Sequence, residues 1–246
     1  MRLSRLFVDR TLAVEQAIIL PKESAHYLLN VLRLRVGREV ILFNGKGGEY
    51  VARLIAATKK KAELQVDEYK NIERESPLPL ILVQAISRPE HFNYTLQKSV
   101  ELGVQHIVPV ITERSPPLDQ TKISKREQHW RKIIISACEQ CGRNRLPVLE
   151  EVLPLNIWLA KKPQQGIVLS PLGEHSLCDV LKREKTLSAR ASVTVLIGAE
   201  GGLSEAEIQQ AIQVGYLDIR LGTRILRTET AAVTVLAICQ ALAGDF

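Results

Sequence analysis

Read for apolar periodicity, the chain changes character near Glu75. Before that point the apolar runs are short and punctuated by glycine. Glu39 to Phe43 is followed by Asn44-Gly-Lys-Gly-Gly48, and then by the strand-like Glu49 to Ile55. Strand, glycine-rich turn and strand in that order predict a hairpin. Another strand is expected from Ala62 to Tyr69, after Lys59-Lys60-Lys61, and a short helix from Glu23 to Leu32. Glu73-Arg-Glu-Ser-Pro-Leu-Pro79 then breaks both periods. Beyond it, Leu80 to Ile86 is a continuous apolar run of the kind buried on both faces of a parallel sheet. His106 to Ile111, Gly166 to Ser170, Val193 to Ile197 and Leu217 to Leu221 are further short strands. Helices are expected between them. One runs from His91 to Leu102, stopped by Gly103. One is opened by the capping box Ser124-x-x-Glu127 and runs to about Cys141; another is opened by Ser204-x-x-Glu207; the last runs from Thr228 to about Leu242. Alternation of this kind predicts an α/β fold on a mainly parallel sheet. The reading divides the chain into a β-rich domain over residues 1–73 and an α/β domain over residues 74–246.

Composition narrows the class. Of 246 residues, 46% are apolar and 24% charged, enough apolar surface to offset chain entropy, so a mainly disordered chain is excluded. Four cysteines in this length do not make a disulfide scaffold. The longest uncharged apolar stretch, Thr230 to Gly244, falls short of the ~20 residues that a membrane span needs. No apolar block of signal-peptide type follows Met1 to Arg10, and a cytoplasmic protein is expected. Charge then adds a partner. The formal net charge is +6, but Met1 to Ala62 alone holds 12 Lys/Arg against 5 Asp/Glu. A basic first quarter beside a balanced remainder suggests a polyanion handle such as nucleic acid would need, with surface solubility as the alternative.

Two stretches have the composition of a ligand site. Ile197-Gly-Ala-Glu-Gly-Gly-Leu-Ser204 ends a buried strand in three glycines before a capped helix. Glycines there let a ligand approach the backbone. The stretch is neither G-x-G-x-x-G nor a P-loop, which disfavours ordinary nucleotide phosphate binding. Leu221-Gly-Thr-Arg-Ile-Leu-Arg-Thr-Glu-Thr-Ala231 repeats the arrangement with arginines and threonines, and Ile225 and Leu226 offer walls for an apolar slot. Thr228 as helix cap and Glu229 in the first turn are the structural alternatives. Cys138-Glu-Gln-Cys141 has zinc or redox spacing but sits within a predicted helix, on the face of Ile134 and Ala137. Cys178 and Cys239 form no second pair, and the five histidines show no metal spacing; buried apolar thiols and no metal are expected. Trp130 and Trp158 are assigned to core or interface.

Gly198-Ala-Glu-Gly-Gly202 and Leu221-Gly-x-Arg-Ile-Leu-Arg-Thr-Glu-Thr-Ala231 together resemble the signature of the RsmE-type methyltransferases of the SPOUT superfamily. Glu101-Leu-Gly-Val104 with Glu113-Arg-Ser115, Ala137-x-Glu-Gln-x-x-Arg143 with Pro147, and Arg5-x-Phe7 with His26 and Val31-Leu-Arg33 are similar to the family's other segments, in order along almost the whole chain. Ala199 stands where that family usually has proline. The resemblance implies a SPOUT-type parallel sheet with a C-terminal trefoil knot, preceded by a small PUA-like β-barrel. It implies methyl transfer from S-adenosylmethionine to N3 of one uridine of 16S ribosomal RNA in the small subunit, by a homodimer. It places the cofactor against Leu169, Pro171, Ile197, Gly198, Glu200, Gly201, Leu221, Gly222, Ile225, Leu226, Thr230 and Ala231. For the chemistry, Arg143 and Arg227 are candidates to steady the uracil oxygens, and Glu139 or Glu229 to accept the imide proton. RNA is expected on Arg5, Arg10, Arg33, Arg35, Lys59 to Lys61 and Arg114. The competing readings are a non-catalytic ribosomal RNA-binding or assembly factor and a SPOUT ribose 2′-O-methyltransferase.

If these cations grip phosphates, affinity for RNA falls steeply as salt rises. Binding titrations at several salt concentrations should show that slope; a flat response would remove the phosphate assignment.

Overall fold

The computed structural model describes residues 3–58, 61–161, 166–177, 180 and 192–246. Lys59, Lys60 and Cys178 lie outside the described residues. The chain forms two compact units, one of Met1–Glu75 with Cys138–Leu146, the other of Ser76–Ala137 with Pro147–Phe246.

The first unit is built on β1 (Arg5–Phe7), β2 (Ala17–Ile19), α1 (Lys22–His26), β3 (Glu39–Phe43), β4 (Glu49–Ala57) and β5 (Ala62–Lys70). Its five-stranded sheet has the order β1-β3-β4-β5-β2, antiparallel except where β1 runs parallel to β3. The expected hairpin is β3–β4, and its turn uses positive φ at Gly45, Gly47 and Gly48. Leu6, Ile18, Leu28, Leu42, Leu54 and Leu64 close one apolar core under this sheet. The helix expected from Glu23 to Leu32 is two elements. α1 ends at His26, and a wider π turn over Tyr27–Val31 follows, with the Leu32 N–H donating to the Tyr27 carbonyl at 3.0 Å.

Among the described residues the second unit carries eight strands: β6 (Leu80–Ala85), β7 (Val104–Ile111), β8 (Val148–Leu149), β9 (Leu153–Pro154), β10 (Gly166–Leu169), β11 (His175–Ser176), β12 (Val193–Ile197) and β13 (Leu217–Arg220). The described helices are α2 (Pro89–Glu101), α3 (Ile123–Cys141), α4 (Leu155–Ala160), α5 (Glu205–Gln213) and α6 (Thr228–Ala243); the last turn of α3 counts with the first unit. The sheet order is β11-β13-β10-β12-β6-β7-β8, with β9 also on β7, and every pairing is parallel. This is the expected α/β architecture. β12 is buried at all five positions, four of them apolar and one of them Thr194. Trp158 meets Tyr216 edge-on at 6.3 Å in one core cluster, and Trp130 lies against Phe92 at 4.6 Å, so both tryptophans fill the interior.

One capping box is as expected and one is not. Ser204 accepts from the Glu207 N–H at 3.4 Å while the Glu207 carboxylate accepts from the Ser204 N–H at 2.8 Å, opening α5. Ser124 instead lies inside α3. The Asp119 carboxylate accepts from the Thr121 N–H and hydroxyl, starting a 3₁₀ turn over Gln120–Lys122 that runs directly into the helix. Glu127 is thereby free to accept from the Val152 N–H at 3.4 Å.

Gly166 marks a close approach between strands. A Cβ there would lie 2.5 Å from the Thr194 carbonyl and 2.8 Å from the Tyr216 ring. Gly166→Ala is expected to lower stability by about 1–3 kcal/mol, read as a fall in the urea midpoint. An unchanged midpoint would contradict the packing described.

Candidate functional site

In a parallel sheet the chain leaves every strand at the same edge, so loops that follow neighbouring strands fall side by side. β13, β10 and β12 are adjacent, and each ends in an irregular bend. The three bends enclose one cavity of about 300 Å³, within the range of small-molecule sites. Leu169, Ser170 and Pro171 come from the first bend; Ile197 to Gly202 from the second; Ile219 to Gly222, Arg224 to Leu226, Thr228 and Ala231 from the third and the start of α6. Apolar side chains and four glycines share this wall with Arg220, Arg224 and Glu200.

Specific contacts fix the bends. The Ser170 N–H donates to the Ile219 carbonyl at 3.0 Å, joining the first bend to β13. A Cβ on Gly173 would lie 2.5 Å from the Ile219 backbone, so only glycine lets the chain pass there. In the second bend the Gly202 N–H donates to the Ala199 carbonyl at 2.9 Å, with φ +74° at Gly202. The Glu200 carboxylate accepts from the Arg88 N–H at 2.8 Å, and Arg114 donates to the Gly201 and Leu203 carbonyls at 2.7 and 3.2 Å. Thr228 opens α6, but its hydroxyl is not a helix cap: it donates to the Gly198 carbonyl at 2.6 Å, tying the third bend to the second. In the third bend Gly222 has φ +77°, and a Cβ there would meet no protein atom within 4 Å.

A model of the RNA methyltransferase domain matches residues 74–240, and one of the RNA methyltransferase PUA domain matches residues 20–67. The ribosomal RNA small subunit methyltransferase E of Buchnera aphidicola (from Schizaphis graminum) is 34% identical, the match covering 99% of this chain and 98% of that one. That of Bacillus subtilis is 29% identical, covering 96% and 95%. The chain belongs to the ribosomal RNA small subunit methyltransferase E family. Two solved structures share its fold over the full length of both chains. The methyltransferase E of Neisseria gonorrhoeae, bound to S-adenosyl methionine, has a TM-score of 0.90 at 37% identity. A Legionella pneumophila methyltransferase in complex with the cofactor SAM has a TM-score of 0.94 at 36% identity.

For a methyltransferase E chain, the sequence motifs locate the cavity well. All the residues expected against the cofactor line it except Thr230. Ser170, Ala199, Gly202, Ile219, Arg220, Arg224 and Thr228 line it without having been singled out for it. All but Ile219 and Thr228 are next to an expected residue; Ile219 lies within β13, and Thr228 was assigned instead to capping the helix. Of the catalytic candidates, Arg227 is exposed between the lining residues Leu226 and Thr228. Glu229 lies in the first turn of α6, its Oε1 3.1 Å from His91 Nδ1 and its Oε2 buried without a hydrogen-bond partner among the described residues.

Arg143 and Glu139 belong to the first unit and have partners there. Arg143 is 4% exposed and pairs with Glu75, while the Glu139 carboxylate accepts from the Phe7 N–H at 2.9 Å. Arg5 departs most from expectation. It is 8% exposed, with its guanidinium on Glu49, on Asn144 and on the Arg143 carbonyl, so it holds the interior together rather than presenting charge to phosphate. Burial alone would raise the Glu49 carboxyl, but hydrogen bonds and charge from Arg74 and Arg5 outweigh it and hold the group below its usual value. Arg10, Arg33 and Arg35 are exposed, as phosphate contacts require; Arg114 is exposed too, but spends its guanidinium on the glycine bend. Burial pushes the Cys138 and Cys239 thiols up to about 12, which makes them apolar filling rather than nucleophiles.

Burial also lifts the Glu139 carboxyl above its ordinary value, against the hydrogen bond from Phe7 and the charge of Arg5. The folded protein then holds this proton more tightly than the unfolded chain does. The stability this group contributes is present below the unfolded value and is lost as pH rises through the folded one. Glu139→Gln keeps an acceptor for Phe7 and removes the buried charge. Its urea midpoint at pH 7 should exceed that of the parent, with the gap closing under acid conditions. A gap that widens toward acid would reverse the assignment.

Proposed function

We propose that this protein methylates N3 of a specific uridine in the 16S RNA of the small ribosomal subunit, with S-adenosylmethionine as methyl donor. One observation carries the reading. The bends bearing Gly198-Ala-Glu-Gly-Gly202 and Leu221 to Ala231 converge with Leu169-Ser-Pro171 on a single cavity, in a chain whose full-length relatives bind this cofactor. The donor set fits the group. Leu169, Ile197, Leu221, Leu226 and Ala231 give apolar walls for the adenine, the bends give backbone groups for its edge, and Gly222 leaves its side-chain space clear. When bound, the cofactor supplies an electrophilic methyl on a sulfonium, which needs no metal.

The chain's own work is to orient and to manage one proton. Holding the imide nitrogen in line is worth up to ~7–11 kcal/mol in well-aligned systems. N3 of uracil lies between two carbonyl oxygens, and loss of its proton puts negative charge on both. Arg227, exposed beside the cavity wall, is placed to steady that charge. Glu229, held by His91, is the carboxylate nearest in sequence to accept the proton. The uridine leaves any stack so that its imide edge can be reached. Arg10, Arg33 and Arg35 of the basic first unit are assigned to RNA phosphates. The trefoil knot, the homodimer and a cytoplasmic location belong to the same proposal. No helix among the described residues is long and apolar enough to cross a membrane.

Small subunits from a strain lacking this gene, incubated with the protein and S-adenosylmethionine, should yield 3-methyluridine on nucleoside analysis. A ribose-methylated product would move the chain to the 2′-O chemistry, and cofactor binding without any methylated product would leave an assembly factor. Arg227→Ala should lower kcat by about 10²-fold with little change in cofactor affinity.

A further inference from the structure

Gln84 sits near the end of β6 with no exposed surface, in register with Ile197 at the end of β12. It is not part of the cavity wall. Its amide Nε2 lies 3.0 Å from Thr228 Oγ1, 3.2 Å from the Ala85 carbonyl and 3.3 Å from the Gly198 carbonyl, so its two hydrogens serve three acceptors and one N–H is shared. Two of these partners are carbonyl oxygens, which only accept, so the NH₂ end of the amide must face them. With Gln84 donating to it, the Thr228 hydroxyl turns its own proton to the Gly198 carbonyl, at 2.6 Å. That carbonyl has two lone pairs, and both are engaged.

The other end of the amide carries the argument. Gln84 Oε1 is buried and has no hydrogen-bond partner among the described residues. An orphaned buried oxygen costs stability, and an apolar side chain of the same size would avoid the cost. Fold stability alone therefore does not account for glutamine at this position. What glutamine does is lock the peptide plane of the second bend at its first glycine and tie it to the first residue of α6, so that two of the three bends share one anchor before any ligand arrives.

We propose that Gln84 is a positioning residue for the cofactor cavity: by fixing the Gly198 carbonyl, directly and through Thr228, it pre-sets the wall that S-adenosylmethionine meets. The inference rests on the function proposed above. It locates part of the cofactor affinity in a side chain that touches neither cofactor nor RNA.

The experiment is calorimetric titration of the full-length protein with S-adenosylmethionine, alongside thermal melts. Gln84→Leu removes both donors at similar volume and abolishes the orphaned oxygen. It should melt at or above the parent temperature, yet bind the cofactor at least 10-fold more weakly. Its KM for S-adenosylmethionine should rise while kcat at saturating cofactor stays within a few-fold. Thr228→Val removes the other donor to the same carbonyl, and Gln84→Leu with Thr228→Val should weaken binding by less than the product of the two single effects. If Gln84→Leu does not fold, Gln84→Glu gives the second reading. A buried carboxylate cannot donate to Gly198, whereas the protonated acid can, so affinity should recover toward the parent as pH is lowered. Parent-like affinity in a folded Gln84→Leu protein, multiplicative single effects, or a Gln84→Glu affinity with the pH dependence of the parent would overturn the role of Gln84. Absence of binding by the parent would instead overturn the function on which it rests.

Discussion

The site depends on the direction of the sheet. Because β13, β10 and β12 run parallel and lie next to one another, three bends that are distant in sequence emerge at one edge. Nothing in any single bend makes a cavity. Leu169-Ser-Pro171 is an ordinary strand exit, and the other two are glycine-bearing turns before helices. Their convergence is a property of strand order, and the core under them sets that order. β12 is buried along its whole length and pairs in parallel with β10 on one side and β6 on the other.

Local chemistry was legible where one physical rule dominated. Continuous apolar runs marked the parallel strands, Asn44 to Gly48 marked the hairpin, and Ser204-x-x-Glu207 marked the start of α5. Reading failed where two side chains offered the same service. Ser124-x-x-Glu127 has the spacing of a capping box, but Asp119 turns the chain first. Thr228 reads as a cap, but the cap position falls on Arg227, and the Thr228 hydroxyl, one residue inside the helix, accepts from Gln84 and donates to the Gly198 carbonyl. The run from Glu23 to Leu32 has helical spacing, and periodicity does not distinguish an α turn from the π turn over Tyr27–Val31.

The charged residues of the first unit show a different limit. Arg5, Arg10, Arg33 and Arg35 are alike in a count of charge. Only the fold separates Arg5, held by Glu49 and Asn144 in the interior, from the three that face water. Glu49 and Glu75 are spent in the same way, on Arg5 and Arg74 and on Arg143, while Glu73 pairs with Arg145 at the surface. A buried pair of this kind costs desolvation and is strongly destabilising to break from one side. The basic character of this quarter therefore resides in fewer side chains than its composition suggests.

Glu207 carries one more consequence. Its two oxygens face different parts of the second unit: Oε2 accepts from the Ser204 N–H at the start of α5, and Oε1 accepts from the Glu113 N–H beyond β7. A single carboxylate thus works as a rivet between a helix entrance and a strand exit, on either side of the glycine bend that Arg114 also clasps. Movement of that bend is therefore tied to the loop after β7, and because Glu113 lends only its backbone N–H, the rivet depends on Glu207 and not on which side chain stands at position 113.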